Sequence, residues 1–260
     1  MKPDNFPLIT QDWPTFEGNP KNSVMLRRRG KALKSLSKWQ KRILMLASII
    51  ERTVGNQARV LDIACGTGFM MLELSNIGFR TTGLEIDLNL CEITKDTASH
   101  FGLKTQSICG DACAIPLEDE SFDVVRSSSF FEHVYDVDLA LQEQIRVLRK
   151  GGLLIIEDGN MLNPKTLINL LIFYPIRTKG KHGGLKWLFT KTKVHRNLYG
   201  YLPLGRDEDV KTVWWWRRKL RYIKSLRPVE MITSAKYLHS RFPRVLHPFI
   251  GGCLILAEKV

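Results

Sequence analysis

The stretch Val60-Leu61-Asp62-Ile63-Ala64-Cys65-Gly66-Thr67-Gly68 has the make-up of a ligand cradle. An apolar strand would end beside an acidic residue, turn through two glycines and enter a helix. Glycines at such a turn let the backbone approach a ligand and adopt positive φ at low steric cost. In open α/β sheets, ligands sit outside the carboxyl ends of the strands. The spacing is not GxGxxG, which argues against a pyrophosphate held on a helix N-terminus and so against a dinucleotide-dependent dehydrogenase. A ligand with a zwitterionic amino-acid end and a cationic centre would instead need carbonyls and a carboxylate for its positive groups. Two more acidic residues stand where a strand should end, Glu85 in Gly83–Asp87 and Asp111 in Gly110–Leu117. Each also has a plainer reading, as a solvated strand end or a helix cap. Further on, Glu132-His133 is the one acid–histidine pair in the acidic middle of the chain. A histidine with its ordinary pKa of about 6.5 can accept a proton at neutral pH, although such a pair is more often structural or substrate-positioning than an acid/base pair. His182 and His195 lie among basic residues and suit phosphate or surface contacts better than base chemistry. The five cysteines show no CxxC spacing, so they read as reduced thiols, and no metal site is expected.

These residues need a scaffold, and the pattern from Ala58 to Glu157 supplies one. Strand signals at Arg59–Ile63, Phe79–Ile86, Thr105–Cys109, Ser121–Arg126 and Leu153–Glu157 alternate with helix signals at Phe69–Ile77, Leu88–His100 and Val137–Arg149. Such alternation predicts a parallel sheet covered on both faces, with right-handed crossovers. A last strand is expected at Gly252–Glu258. Before this region, four prolines in residues 1–22 predict an extended or irregular arm. Leu33, Leu36, Trp39, Ile43, Leu46 and Ile50 then recur at helical steps, with lysines and arginines opposite, and predict one amphipathic helix over Lys31–Arg52.

On these residues the chain resembles the class I S-adenosylmethionine-dependent methyltransferases. Asp62–Gly68 looks like their glycine-rich first motif. Gly83–Asp87 resembles the end of their second strand, Gly110–Leu117 their GDA-x-x-LP segment, Ser121–Val134 their fourth strand and its exit, and Arg146–Gly152 their RVLKPGG turn with Lys150 in place of proline. The matches cover about residues 58–158 and fall in family order, closest to the type 11 subgroup that includes quinone-biosynthesis enzymes. The resemblance implies a doubly wound, mostly parallel seven-stranded sheet of Rossmann-like type, with an N-terminal helix and a helical lid insertion. It implies S-adenosylmethionine as cofactor, held by Asp62, Ala64, Cys65, Gly66, Gly68, Glu85, Ile86, Asp111, Ala112 and Ser128. In that reading Glu85, with Asp87 as a near alternative, grips the ribose hydroxyls. Asp111 meets the adenine amino group, and the backbone amide of Ala112 meets its ring. Glu132 and His133 are the candidates for catalysis. Positioning and desolvation can supply much of the rate when the leaving group is already activated, so a dedicated base need not be recognisable.

Charge divides the chain more sharply than its net +13 suggests. Residues 1–55 carry 11 basic and 4 acidic side chains, residues 56–158 carry 8 and 17, and residues 159–260 carry 20 and 5. These blocks correspond to an N-terminal arm and helix (1–55), a cofactor-binding core (56–158), a basic substrate or lid insertion (159–245) and a final strand returning to the core (246–260). Basic flanks either face something anionic or serve as a solvated exterior. No secretory signal is visible, and the longest apolar runs fall short of a membrane span. The chain is therefore expected to be cytoplasmic, with peripheral contact at a membrane surface as a further reading.

The acceptor should be set outside the shared core. Ser127–His133 resembles neither the signature of exocyclic-amine methyltransferases nor that of cytosine C5 enzymes. Leu167–Tyr174 with its basic neighbours, and the block Trp214–Arg221, favour a small-molecule or lipid-linked acceptor, because tryptophan and basic side chains suit an interface between apolar and wet surroundings. The same residues could instead build a lid, with Trp214–Trp216 partly in the core. RNA methylation using the basic flanks is the alternative substrate reading, and a non-catalytic cofactor-binding partner of another methyltransferase is the alternative role.

Overall fold

The computed structural model describes residues 6–159, 212–233 and 253–260, with shorter stretches at 163–164, 168–173, 176, 193–197 and 200–204. The strands are β1 (Arg59–Ile63), β2 (Arg80–Glu85), β3 (Gln106–Cys109), β4 (Phe122–Ser128), β5 (Leu148–Asp158), β6 (Lys193–Asn197), β7 (Gly200–Leu204), β8 (Leu226–Thr233) and β9 (Cys253–Lys259). Seven of them form one mixed, mostly parallel sheet in the order β3-β2-β1-β4-β5-β9-β8. β1 pairs in parallel with β2, and β2 with β3, so Asp62 lies opposite Gly83 and Glu85 opposite Cys109. Val60–Ile63 are buried, as a central strand covered on both faces requires. β6 and β7 make a separate antiparallel ribbon.

The helices are α1 (Asn22–Lys34), α2 (Leu36–Val54), α3 (Phe69–Asn76), α4 (Leu88–His100), α5 (Val137–Val147) and α6 (Val213–Arg221). The single helix expected over Lys31–Arg52 is therefore two. Ser35 leaves helical geometry at φ −130° and ψ 39°, and its hydroxyl donates to Lys31 O at 3.1 Å, a local bond that competes with the helix ladder. α2 buries Ile43, Leu46, Ile49 and Ile50 on one face and stops at Gly55. The fifth strand begins at Leu148, so it runs through Gly151-Gly152 rather than starting after them.

The chain divides into two compact units. The first contains residues 1–126 and 142–154, and its cluster of Leu8, Ile9, Trp13, Met25, Phe69, Met71, Leu72, Ile93 and Ala98 packs the N-terminal arm against α3 and α4. The arm is irregular apart from one short turn, and it is docked on the unit as a strap. Leu8–Thr10 form a 3₁₀ turn with Leu8 and Ile9 buried. Trp13 stacks obliquely on Phe69 at 4.6 Å and meets Phe101 edge-on at 5.5 Å. Beneath the strap sits the buried carboxylate of Glu73, which accepts the amides of Leu8 and Ile9, both at 3.0 Å.

The second unit contains residues 127–141 and 155–258. Its described part of the 159–245 stretch includes the β6–β7 ribbon, α6 and β8, so that stretch is not wholly a helical lid: Leu226–Thr233 belongs to the main sheet. The tryptophan block splits along α6. Trp216 is fully buried with its ring 4.9 Å from Phe131, while Trp214 and the arginines at 217 and 218 are exposed. His182 lies outside the described residues, as do Leu167 and Tyr174.

Candidate cofactor site

The site is built at the carboxyl end of β1, where the strand leaves the sheet at Ile63. Three residues of the next five take left-handed backbone, Ala64 at φ 53°, Gly66 at φ 61° and Gly68 at φ 72°. For alanine this conformation is uncommon and costs energy, and such strain concentrates at functional turns. Gly68 is also needed for space, whereas at Gly66 it is the left-handed backbone that favours glycine. A β-carbon on Gly68 would lie 2.5 Å from Thr94 Cγ2, and one on Gly66 would meet the movable end of Arg28. The turn closes through Gly68 N–H to Cys65 O at 3.0 Å, and Leu72 N–H to Gly68 O starts α3. From α4, the Thr94 hydroxyl donates to Gly66 O at 3.2 Å.

Glu85 organises the turn from β2. Its Oε2 accepts Gly66 N–H at 2.8 Å, and its Oε1 accepts the amides of Ile86 at 2.9 Å and Asp87 at 3.1 Å. An ionised carboxylate oxygen has two acceptor directions, so Oε2 keeps one for a ligand hydroxyl. Asp87, the alternative to Glu85, does a different job. It caps α4 by accepting Asn89 N–H at 3.0 Å and pairs with Lys21 at 2.8 Å. Burial would raise its pKa, but the bond and charge of Lys21 outweigh that and hold it below the usual range.

Asp62 is buried and paired with Arg126 Nη1 of β4 at 2.5 Å. A carboxylate this dry needs such a partner. The pair was not foreseen, although a single arginine inside Phe122–Ser128, an otherwise apolar strand at its centre, is the signal for one. Burial, with the charges of Asp62 and Glu85, pushes the Cys65 thiol well above its usual pKa, so it is a lining group and not a nucleophile. Cys91 is likewise raised, to about 12, by burial and Cys109.

At β3, Gly110 N–H donates to Glu85 O at 2.9 Å, which brings the Gly110–Ala112 segment beside the Glu85 segment. Asp111 Oδ1 accepts Cys113 N–H at 2.8 Å, and Ala112 is buried. The loop that follows is tied by Arg146, which donates to Ile115 O and Leu117 O, both at 2.8 Å, and pairs with Glu143 and Asp119. Asp62, Ala64, Cys65, Gly66, Gly68, Glu85, Ile86, Asp111 and Ala112 all belong to the first unit.

Ser128, Glu132 and His133 belong to the second unit. Ser128 ends β4; Ser129 follows at φ 50° and its N–H donates to Glu157 O at 2.8 Å. His133 Nε2 lies 3.7 Å from Glu132 Oε1, with the imidazole half-exposed and the carboxylate mostly covered.

The first-unit residues fit an adenosyl cofactor with an amino-acid tail. The Thr67 hydroxyl is the clearest observation, since it is buried at the turn with no hydrogen-bond partner among the described residues. Buried polar atoms are rarely left so, and a ligand in the turn would give it one. Sequence reasoning passed over Thr67 because serine and threonine are ordinary turn residues.

Residues 61–156 match the model of the type 11 methyltransferase family, described as a methyltransferase domain. The chain is 29% identical over 174 residues to a sterol 4-C-methyltransferase of Caenorhabditis elegans, covering 66% of this chain and 52% of that protein. It is 35% identical over 121 residues to a demethylmenaquinone methyltransferase of Staphylococcus aureus, covering 45% and 47% respectively. The chain thus spans about half the length of these relatives. A solved structure from Methanococcus maripaludis, described as a putative S-adenosyl-L-methionine-dependent methyltransferase, superposes over 96% of this chain and 97% of that one, with a TM-score of 0.58 at 18% identity. The fold is that of the class I methyltransferases. Residues 61–156 are a methyltransferase domain of the type 11 group, for which S-adenosylmethionine is the cofactor.

Proposed function

We propose that this chain transfers a methyl group from S-adenosylmethionine to a small, lipid-like acceptor. The observation that carries the reading is the left-handed turn Ala64–Gly68 with the unpartnered Thr67 hydroxyl beneath it and the Glu85 carboxylate beside it. In this reading Glu85 accepts the ribose hydroxyls, Asp111 and the Ala112 amide meet the adenine, and Ile86 packs on its ring. Asp62, fixed and neutralised by Arg126, anchors the end of β1 behind the turn. When bound, the cofactor supplies a methyl group on a sulfonium, so that sulfur keeps the bonding pair as the acceptor atom forms its new bond. The chain's own part is to position the acceptor, exclude water and take up its proton. His133 is assigned as the proton acceptor, with Glu132 stabilising the resulting imidazolium.

Support for a lipid-like acceptor comes from the names of the sterol and demethylmenaquinone relatives. It comes also from exposed apolar side chains of the second unit, Ile172, Phe173, Ile176 and Trp214. We place the protein in the cytoplasm, working against a membrane surface where such acceptors reside. No helix among the described residues is long and apolar enough to cross a membrane. The test is transfer of tritiated methyl into a cell lysate separated into lipid, small-molecule and RNA pools. Label in the lipid or small-molecule pool is expected. Label confined to nuclease-sensitive material would overturn the acceptor class in favour of RNA, and cofactor binding without any labelled product would favour a non-catalytic partner.

A further inference from the structure

α1 carries three consecutive arginines, and the structure gives them different surroundings. Arg29 donates to Ile9 O at 3.3 Å and to Gln11 O at 2.5 Å, which stitches α1 to the strap. Arg27 is exposed. Arg28 lies with its guanidinium over Gly66, where Nη1 occupies the space that a β-carbon would take. No ion pair or hydrogen bond is given to Arg28 by any described residue. A guanidinium is always charged and has five donors in a planar fork. Holding one against a glycine turn with no acceptor gains nothing for the fold alone.

The placement is not accidental to a loose helix. Lys21, at the start of α1, pairs with Asp87 at the cap of α4 at 2.8 Å, and Asn19 donates to Asn89 O at 3.2 Å. Met25 is fully buried in the core cluster beneath the strap. α1 is therefore pinned at its beginning, its middle and, through Arg29, its strap side, and these contacts fix which arginine faces Gly66.

We propose that Arg28 binds the carboxylate of the cofactor's amino-acid tail. The proposal deepens the methyltransferase reading and rests on it. Of the carboxylates near the turn, Asp62 is paired with Arg126 and Asp87 with Lys21, which leaves the Glu85 carboxylate, bound only by backbone amides, as the charge at Gly66. That charge suits the cationic groups of the tail but opposes its carboxylate, and Arg28 is the cation at Gly66 that balances it. An arginine fork on a carboxylate makes two parallel charge-assisted bonds, among the stronger polar contacts available to an exposed side chain. Since Arg28 comes from outside residues 61–156, the N-terminal segment becomes part of the cofactor site.

The experiment compares S-adenosylmethionine with decarboxylated S-adenosylmethionine, which keeps the ammonium, sulfonium and adenosine and lacks only the carboxylate. Calorimetric affinities are measured for the full chain, Arg28→Met, Arg28→Lys and the neighbouring control Arg27→Met. Arg28→Met should weaken the intact cofactor by about ten- to a hundredfold, the range for loss of a charged hydrogen bond. It should leave the decarboxylated compound within about twofold. Arg28→Lys should recover part of the loss, and Arg27→Met should bind both compounds like the wild type. The proposal is overturned if Arg28→Met weakens both compounds equally or neither. Failure of the wild-type chain to bind either compound would overturn the methyltransferase reading itself and the proposal with it. Thermal midpoints of the variants, expected to match the wild type because Arg28 is exposed, separate lost binding from lost folding.

Discussion

Glu73 is a buried acid without a cationic partner among its hydrogen bonds, and replacing it tests whether the N-terminal strap is an integral part of the first unit. The carboxylate receives the amides of Leu8 and Ile9 at 3.0 Å and, at the longer distance of 3.5 Å, the indole N–H of Trp39. In Glu73→Ala, two buried amides lose their acceptor, at about 1–3 kcal/mol each. Relief of the carboxylate's own burial cost offsets part of this, since burial raises the Glu73 pKa even though all three donors lower it. A net loss of about 2–4 kcal/mol follows. For a chain of this length that is a fall in melting temperature of roughly 4–16 °C.

The assay is thermal or urea unfolding, paired with amide exchange at Leu8 and Ile9. Both amides should be protected in the wild type and exchange freely in Glu73→Ala. The pH dependence adds a second check through its sign. Glu73 has a raised folded-state pKa, so the folded protein binds more protons than the unfolded one between the two values. Its contribution is fully present below the unfolded value of about 4.5 and is lost as pH rises through the folded one. Glu73→Gln should remove that component from the stability profile. A Glu73→Ala variant within about 0.5 kcal/mol of wild type, the range of ordinary surface substitutions, with Leu8 and Ile9 still protected, would refute the account.

Arg146→Ala should free the loop at 115–119, costing about 1–3 kcal/mol of stability and weakening S-adenosylhomocysteine about three- to tenfold by calorimetry, with 5′-methylthioadenosine equally affected because the loop adjoins the adenine side. Asp123 behaves oppositely to Glu73: burial would raise it, but Arg59 and Arg149 hold it at about 2, so its stabilisation is present above about pH 4 and lost as pH falls through 2. Asp123→Asn should therefore cost up to about 2 kcal/mol at neutral pH, less for screening of the exposed Arg59, and the gap in urea midpoints should close in acid. Trp216→Ala should cost about 3–5 kcal/mol by opening a cavity beside Phe131. Trp216→Phe should cost clearly less in the same unfolding assay, because the indole N–H is buried without a partner among the described residues and its removal relieves that penalty.

What could be read from the sequence was local. β1, the glycine turn and α3 follow from residues adjacent in the chain, and the order of strand ends at Asp62, Glu85 and Asp111 came through because each element carries its own period and its own acidic terminus. What could not be read depends on distant partners. Leu8 and Ile9 lie between prolines in a stretch that looks irregular, and the acceptor that orders them is Glu73, 64 and 65 residues away. The break at Ser35 was hidden because the apolar spacing continues in phase across it. Arg126 and Asp62 are neighbours on paired strands, yet 64 residues apart in sequence. The tryptophans of α6 look alike in sequence, and only packing on Phe131 distinguishes the buried Trp216 from the exposed Trp214.

The same distinction changes what the charge asymmetry means. Basic flanks around an acidic middle first suggested surfaces facing an external anion. In the first unit, part of that charge is turned inward. Lys21 is committed to Asp87, Arg29 to two strap carbonyls, and Arg28 to the glycine turn. An acidic centre suits a cofactor tail bearing a sulfonium and an ammonium but leaves its carboxylate unmatched, and a basic segment folded over the same turn supplies the missing sign. The N-terminal basic block and the acidic core are then halves of one site, and that flank is not merely a solvated exterior. The C-terminal basic block differs, because the arginines at 217, 218 and 221 of α6 are exposed, beside the exposed Trp214. On the proposal above, the N-terminal flank answers to the cofactor through Arg28, which the comparison of intact and decarboxylated cofactor tests directly.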